Sequence, residues 1–168
     1  AYPANERPVY VLNFRAADKL KIGPNAFALP GGQVVLTDEL AELLADAPDV
    51  TTGVLAHELG HVRHRHGMRT VVQASLLAAM AGWVIGDFSS VLAAVPAVLG
   101  QAAYARDFER EADTEAIRVL RANGLTLSRM VLLFERLDAW REKHAGGLHD
   151  LPIALADHPA DTERKRLF

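Results

Sequence analysis

The order of apolar and polar positions predicts a small β-sheet near the start of the chain. Residues 7–13, RPVYVLN, alternate in polarity and are rich in β-branched side chains, which is typical of a short strand. Residues 25–29 and 33–36 have the same character, and the sequence PGG between them is a strong turn signal. The pattern therefore predicts one short strand followed by two strands joined by a tight turn.

From residue 37 onward the pattern becomes that of helices. Thr37 or Asp38 can cap a short helix that we expect to end before Pro48. Later helices are predicted near residues 71–84, 88–103, 107–122 and 126–143. The last of them is amphipathic, with one face formed by Met130, Leu133, Phe134, Leu137 and Trp140. The fold class is therefore α+β, with a small N-terminal sheet and a mostly helical remainder.

One more helix is predicted from Asp49 onward, between the short helix and the later ones. Its candidate N-caps are Asp49, Thr51 and Thr52. Gly67 is a candidate for its end, although the apolar run beyond Gly67 could also continue the helix.

The apolar stretch 71–105 is the least ordinary part of the chain. Residues 71–86 and 88–105 carry no charge, and only Asp87 separates them. Each run approaches the roughly 18–20 residues that would span a membrane, but both are rich in Ala and Gly and Pro96 interrupts the second. We therefore expect a packed helical hairpin at 71–105. The alternative is that this stretch contacts a membrane or a flanking domain.

Composition and charge favour one globular domain over residues 1–168. Half of the residues are apolar and 23% are charged, which excludes a disordered chain. The net charge of −3 gives no case for binding nucleic acid. The chain has no cysteine, so any metal must be held by His, Asp or Glu. It begins at Ala1 without a targeting signal, which favours a piece of a longer protein.

Four of the seven histidines fall within residues 57–66, in the sequence HELGHVRHRH. On a helix, His57 and His61 lie one turn apart on the same face, a spacing that suits two ligands of one tetrahedral zinc ion. Glu58 follows the first histidine, so its carboxylate can act as a general base on a water at the metal without becoming a ligand. Gly60 is small enough to let another element or a substrate approach the helix closely.

The segment 106–116, RDFEREADTEA, can supply the third ligand. Glu109 and Asp113 are four residues apart on a predicted helix, so one can bind the metal while the other holds the second N–H of a ligating histidine. Glu111 lies about 200° around the helix from Glu109, so these two cannot serve one site. Glu111 and Glu115 repeat the same spacing, and geometry leaves both pairs open. A solvated acidic face is the alternative to either.

Together these motifs resemble the membrane-associated zinc metallopeptidases typified by HtpX, BepA and the CAAX prenyl endopeptidase, which form the forty-eighth metallopeptidase family. HELGH is followed 48 residues later by the pattern E-x-E-A-D. Further matching segments are NAFALPGG at 25–32, His66, Arg106 and HPADTER at 158–164. The resemblance implies a zincin-like (gluzincin) fold with an edge strand beside the zinc helix. It also implies that Glu109 is the third zinc ligand and that Asp113 supports the ligands from behind.

An edge strand can bind an extended peptide through main-chain hydrogen bonds, with little selectivity for sequence. The segment that we assign to this role consists of Asn25, Ala26, Phe27, Ala28 and Leu29. The alternative is an ordinary structural hairpin.

Three other histidines are weaker candidates. His64 suits the protein surface, and His66 suits a packed or hydrogen-bonded position at the helix end. In the branch of the family that contains BepA, the histidine of the HP pair approaches the metal. The resemblance therefore implies that His158 is a fourth ligand that restrains activity, or a contact to the oxyanion. Arg164 and Tyr104 are further candidates for that contact.

The sequence therefore predicts a zinc-dependent endopeptidase with one Zn²⁺ per chain and a peptide or protein as substrate. The resemblance implies unfolded, misassembled or membrane-associated substrates in a bacterial-type cell envelope. One alternative is a latent protease blocked by a fourth protein ligand. Another is a non-catalytic, chaperone-like assembly module that retains the metal fold. The presence of Glu58 disfavours that module, because binding alone needs no general base.

Overall fold

The computed structural model describes residues 9–16, 22–85, 89, 106–144 and 166–168. Within these residues the chain forms three strands and five helices. The strands are β1 (Val11–Arg15), β2 (Ala26–Leu29) and β3 (Gln33–Thr37). The helices are α1 (Asp38–Leu43), α2 (Pro48–Arg63), α3 (His66–Ile85), α4 (Arg106–Ala122) and α5 (Arg129–His144). This arrangement confirms the predicted α+β class.

The three strands form one sheet in the order β1–β3–β2, so β3 is central and β2 lies at an edge. β1 pairs with β3 in parallel, and β2 pairs with β3 antiparallel. The predicted turn joins β2 to β3, and Gly31 and Gly32 both adopt positive φ there, at 93° and 84°. Glycine is suited to this conformation because it has no Cβ to clash with the backbone.

The first strand is displaced from its predicted position. β1 spans Val11–Arg15 rather than 7–13, and residues 7 and 8 lie outside the described part of the chain. The pairing register explains the difference, because Val11 faces Gln33 and Arg15 faces Thr37, the first and last residues of β3. β1 therefore matches its partner strand rather than the extent of its own β-branched run.

Thr37 caps α1, as the sequence predicted. Its Oγ1 accepts a hydrogen bond from the backbone N–H of Leu40, at 3.3 Å. The same hydroxyl accepts a hydrogen bond from the N–H of Asn25 and donates to the carbonyl of Asn25. One buried side chain therefore fixes both the start of α1 and the residue that precedes β2.

The predicted caps of α2 are wrong. The helix begins at Pro48 with Ala47 as its N-cap, and no side chain caps its first turn. Proline is suited to the first helical position, because its missing N–H would have no partner there and its φ is already helical. Thr51 and Thr52 lie inside the helix, where their hydroxyls donate to the carbonyls of Ala47 and Pro48.

The predicted end of α2 at Gly67 is also wrong, and so is the start of the next helix near residue 71. α2 ends at Arg63, and α3 begins at His66. Between them, Arg65 adopts a φ of 55°, the left-handed conformation that commonly terminates helices. Gly67 instead lies in the first turn of α3, where a Cβ would approach the ring of Pro30 to 3.2 Å.

The two predicted helices near 107–122 and 126–143 are confirmed as α4 and α5. Apart from residue 89, the predicted helix near 88–103 lies outside the described residues, as does the second half of the hairpin at 71–105. Among the helices that the structure describes, none combines the length and the apolar character needed to span a bilayer.

α2 lies at the centre of the packing and contacts α4 most extensively, with further contacts to β2 and α5. The buried core between these elements includes Leu36, Leu40, Leu44, Val50, Val54, Leu120, Met130 and Leu133. α2 has buried residues from Val50 to His61, and the helix is therefore a rigid support for polar residues near its C-terminal end.

Candidate metal centre

His57 and His61 lie one turn apart on the buried face of α2. Their side chains are almost fully enclosed, and the two Nε2 atoms are 3.1 Å apart. The helical spacing brings the rings side by side, with their centroids 4.8 Å apart. The pair of histidines predicted from the sequence is therefore brought together with both Nε2 atoms directed to one point.

Glu109 of α4 joins this pair from across the helix interface. Its Oε2 lies 3.4 Å from Nε2 of His57, and its Oε1 lies 3.4 Å from Nε2 of His61. The helices come this close because Gly60 faces Ala112 without a side chain. A Cβ on Gly60 would lie 2.8 Å from the Cα of Ala112. The element predicted to approach Gly60 is therefore α4.

The three side chains fit a tetrahedral zinc ion. Ligand atoms about 2.1 Å from zinc and separated by tetrahedral angles lie about 3.4 Å from one another. The two Nε2 atoms are 3.1 Å apart, and each lies 3.4 Å from a different oxygen of Glu109, so each histidine has a ligand atom at about this separation. Two imidazoles and one carboxylate also form a ligand set that zinc accepts, with a fourth position for water.

Asp113 lies behind His57. Its Oδ1 is 2.9 Å from Nδ1 of His57, and the carboxylate is 1% exposed. The carboxylate can only accept, so Nδ1 of His57 carries the proton and Nε2 presents its lone pair. This is the arrangement expected behind a metal-binding histidine.

A second polar cluster extends from His61. Nδ1 of His61 lies 2.8 Å from Nδ1 of His66, and Nε2 of His66 lies 2.8 Å from Oε2 of Glu111. Arg69 donates to the same Oε2 at 3.2 Å. Burial lowers the pKa of His66, and the hydrogen bond from His66 lowers the pKa of Glu111. Near neutral pH the pair is thus a neutral imidazole and an ionised carboxylate.

Glu115 lies beside His64, whose Nε2 is 3.6 Å from Oε1 of Glu115. It accepts hydrogen bonds from Arg63 and Arg118 and is 7% exposed. Glu111 and Glu115 therefore both lie beside His64, whereas Glu109 and Asp113 both face His57. The sequence left two pairs of carboxylates open. The structure places Glu109 and Asp113 against His57, and Glu111 and Glu115 away from it.

Glu58 directly follows His57 on α2 and is 1% exposed, so its carboxylate is enclosed at the same end of the helix. Asn25 and β2 lie at the edge of the described sheet, and β2 packs against α2. Ala26, Phe27 and Ala28 are buried. Three predicted site residues, His158, Arg164 and Tyr104, lie outside the described residues.

Two neighbours of the site were not predicted. Phe108 stacks on His66, with ring centroids 4.3 Å apart and an angle of 5° between the rings. The guanidinium of Arg69 lies 4.3 Å from the centre of the Phe108 ring. The sequence offers one signal for this contact, because Phe108 immediately precedes Glu109. Adjacent residues of a helix point to different sides, so the partner of Phe108 depends on the tertiary fold.

The sequence profile of peptidase family M48 matches residues 7–167 of this chain. The mitochondrial metalloendopeptidase OMA1 of Saccharomyces cerevisiae is 29% identical over 84% of this chain and 41% of its own length. The protease HtpX homolog of Salinibacter ruber is 28% identical over 84% of this chain and 62% of its own length. The beta-barrel assembly-enhancing protease of Escherichia coli is 32% identical over 67% of this chain and 26% of its own length. The chain spans less than two thirds of each relative.

Proposed function

This chain belongs to peptidase family M48, and from that premise we propose that it is a zinc-dependent endopeptidase holding one Zn²⁺ with His57, His61 and Glu109. The family is one of metallopeptidases with a zincin-like fold, as the resemblance implied. The observation that carries the proposal is the convergence of these three buried side chains, because one ligand atom from each lies within 4.8 Å of the other two.

The residues around the ligands support this assignment. Asp113 accepts the Nδ1 proton of His57, so the Nε2 lone pair is available to a metal. When bound, zinc polarises the carbonyl of the scissile peptide bond and acidifies a water molecule beside it. Zn²⁺ held by two neutral histidines and one carboxylate would keep a net charge of +1 with these ligands, which would favour a developing oxyanion.

Glu58 is the general base in this proposal. It accepts a proton from the attacking water and returns it to the nitrogen of the leaving amine. Its burial in the same end of α2 supports the role, because a carboxylate away from bulk water is a stronger proton acceptor. A protein that only bound partners would have no need for a buried carboxylate at this position.

We assign the alignment of the substrate to Asn25 and to Ala26, Phe27, Ala28 and Leu29. These residues form or precede β2, which is the edge strand of the described sheet on the side of α2. A peptide that extended the sheet beside β2 would lie along the helix that carries His57 and His61. Main-chain pairing of this kind suits cleavage of extended, unfolded segments of many sequences.

The relatives suggest a class of substrate. One is named a beta-barrel assembly-enhancing protease, and another a mitochondrial metalloendopeptidase. We extend this to a role in quality control of unfolded, misassembled or membrane-associated proteins, in a cell envelope of the bacterial type. The exposed apolar side chains of α3 support contact of this helix with a membrane or a flanking domain. They recur every three or four residues, at Met68, Val72, Leu76, Met80 and Trp83.

Replacement of the general base tests the proposal. Glu58→Gln should retain zinc and the fold but lower the rate of hydrolysis of an unfolded protein such as casein by at least about 100-fold, the usual scale for a lost general base. Elemental analysis should find one zinc per chain in both proteins. Glu135→Gln makes the same chemical change at an exposed position of α5 and should leave the rate unchanged.

Three results would contradict the proposal. Casein hydrolysis that survives Glu58→Gln would exclude Glu58 as the base. A chain that loses zinc in Glu111→Ala but keeps it in Glu109→Ala would show that the wrong carboxylate is assigned. A wild-type protein that holds zinc but cleaves nothing would instead favour the latent protease or the chaperone-like module.

A further inference from the structure

The polar groups behind His61 differ from those behind His57. His57 contacts a carboxylate directly, whereas His61 contacts a second imidazole that in turn reaches Glu111. We propose that His66 and Glu111 form a hydrogen-bonded relay that positions His61 and fixes its Nε2 as the metal-binding atom. This inference rests on the zinc site proposed above, and it makes His66 a positioning residue with no contact to substrate.

The positions of the protons follow from counting donors. A carboxylate only accepts hydrogen bonds, so Nε2 of His66, 2.8 Å from Glu111, carries a proton. His66 is 0% exposed, and a fully enclosed imidazole is favoured in its neutral form, with one N–H. Its Nδ1 is therefore bare and must accept from Nδ1 of His61, 2.8 Å away. That proton leaves Nε2 of His61 as the atom with a free lone pair.

The structure holds His66 in the required orientation. Its ring stacks on Phe108, which stands next to Glu109 on α4. Arg69 donates to Glu111 and keeps that carboxylate beside His66. Arg65 adopts the left-handed conformation between α2 and α3, and the next residue, His66, contacts His61 of α2. The relay therefore connects the start of α3 with both helices that supply ligands.

A second metal site is the alternative use of these residues, because ligand atoms of His64, His66 and Glu111 also lie close together. The geometry disfavours it. Both ring nitrogens of His66 already make hydrogen bonds at 2.8 Å. The rings of His64 and His66 are stacked, with 13° between them, so their nitrogens do not converge on one point. The Arg69 guanidinium, 3.2 Å from Glu111, also opposes a cation there.

The test compares two substitutions of His66 in the zinc-loaded protein. His66→Phe keeps an aromatic ring against Phe108 but cannot accept a hydrogen bond, so zinc affinity should fall by about 10- to 100-fold, the usual effect of losing such a partner. His66→Asn places an amide oxygen near the position of Nδ1 and should restore most of that affinity. Zinc affinity is measured by competition with a chelator, and thermal unfolding checks that each variant is folded.

A spectroscopic signal tests the hydrogen bond itself. The Nδ1 proton of His61, assigned by ¹⁵N NMR of the zinc-loaded protein, should be protected from exchange in the wild type and in His66→Asn. In His66→Phe it should exchange with solvent. His144→Phe is the matched control, because it makes the same change at an exposed position of α5, and it should leave both signals unchanged. Should His66→Phe fail to fold, Glu111→Ala at a partly exposed position should still weaken zinc binding.

Each contrary outcome identifies what fails. Unchanged zinc affinity and an unchanged His61 proton in His66→Phe would overturn the relay. Two zinc ions per wild-type chain, reduced to one by His64→Phe, would overturn it in favour of the second metal site. Proteolysis that survives Glu58→Gln would refute the proposed catalysis but not the relay, because neither of the relay's measurements depends on turnover.

Discussion

Asp113 shows how a single side chain can affect a metal that it does not bind. Its carboxylate lies 2.9 Å from Nδ1 of His57, so it fixes the tautomer and orientation of that ring. Asp113→Ala should therefore lower zinc affinity or turnover by about 10- to 100-fold while leaving the three proposed ligands in place. Asp107→Ala on the same helix is the control, because the side chain of Asp107 is 82% exposed. Equal zinc affinity and turnover in both variants would make Asp113 a structural residue only.

At the scale of single residues, the sequence predicted which side chains share a helix face but not every contact that they make. The i, i+4 relation placed His57 with His61, and the same relation on α4 offered two carboxylate pairs. Resemblance to a family, not geometry, favoured Glu109. The contact between His66 and Glu111 was not predictable, because it joins residues 45 positions apart across a change of helix direction at Arg65. Local patterns carry no information about such a contact.

The contact between α2 and α4 is the element-scale feature on which the site depends. A methyl group at Gly60 would lie 2.8 Å from the Cα and 3.2 Å from the carbonyl oxygen of Ala112, and neither backbone atom can rotate away. Overpacking of this kind costs about 1–3 kcal/mol, against a gain of about 1 kcal/mol because alanine favours helix over glycine. Gly60→Ala should therefore lower the melting temperature and weaken zinc binding, since α4 moves Glu109 away from the histidines.

Thermal unfolding and chelator competition measure these two effects separately. A loss of stability with full zinc affinity would mean that α4 shifts without displacing Glu109. Equal stability and affinity in both proteins would show that the close approach at Gly60 is not required.

Element existence was predictable, whereas element ends were not. The sheet, the turn, Thr37 as a cap and the helices α4 and α5 all follow from local patterns. The start of α2 was missed because Ala47 offers no capping side chain and Pro48 supplies the start instead. The break between α2 and α3 was missed because Arg65, not a glycine, adopts the left-handed conformation. A residue type that rarely adopts positive φ gives no signal that it does so.

On the scale of the whole molecule, the sequence predicted the α+β class and the order of the site motifs. It could not predict the parallel pairing of β1 with β3, which brings together residues about 22 positions apart in the register. The sequence also could not predict how α2 and α4 pack together. Helix packing depends on the shapes of the two contacting surfaces, here at Gly60 and Ala112. The family resemblance provided the choice of Glu109 and Asp113, which the local patterns left open.

The two helices that hold the proposed ligands are far apart along the chain, since His61 and Glu109 are 48 residues apart. A zinc ion between them is then a cross-link, comparable to a disulfide in a chain that has no cysteine. Above the dissociation constant, each tenfold rise in free zinc should add about 1.4 kcal/mol to the free energy of unfolding. Melting temperatures measured at buffered zinc concentrations should rise accordingly in the wild type and stay level in Glu109→Ala. A melting temperature of the wild type that did not change with zinc would refute this coupling. A rising melting temperature would mean that the abundance of the folded protein follows the supply of the metal.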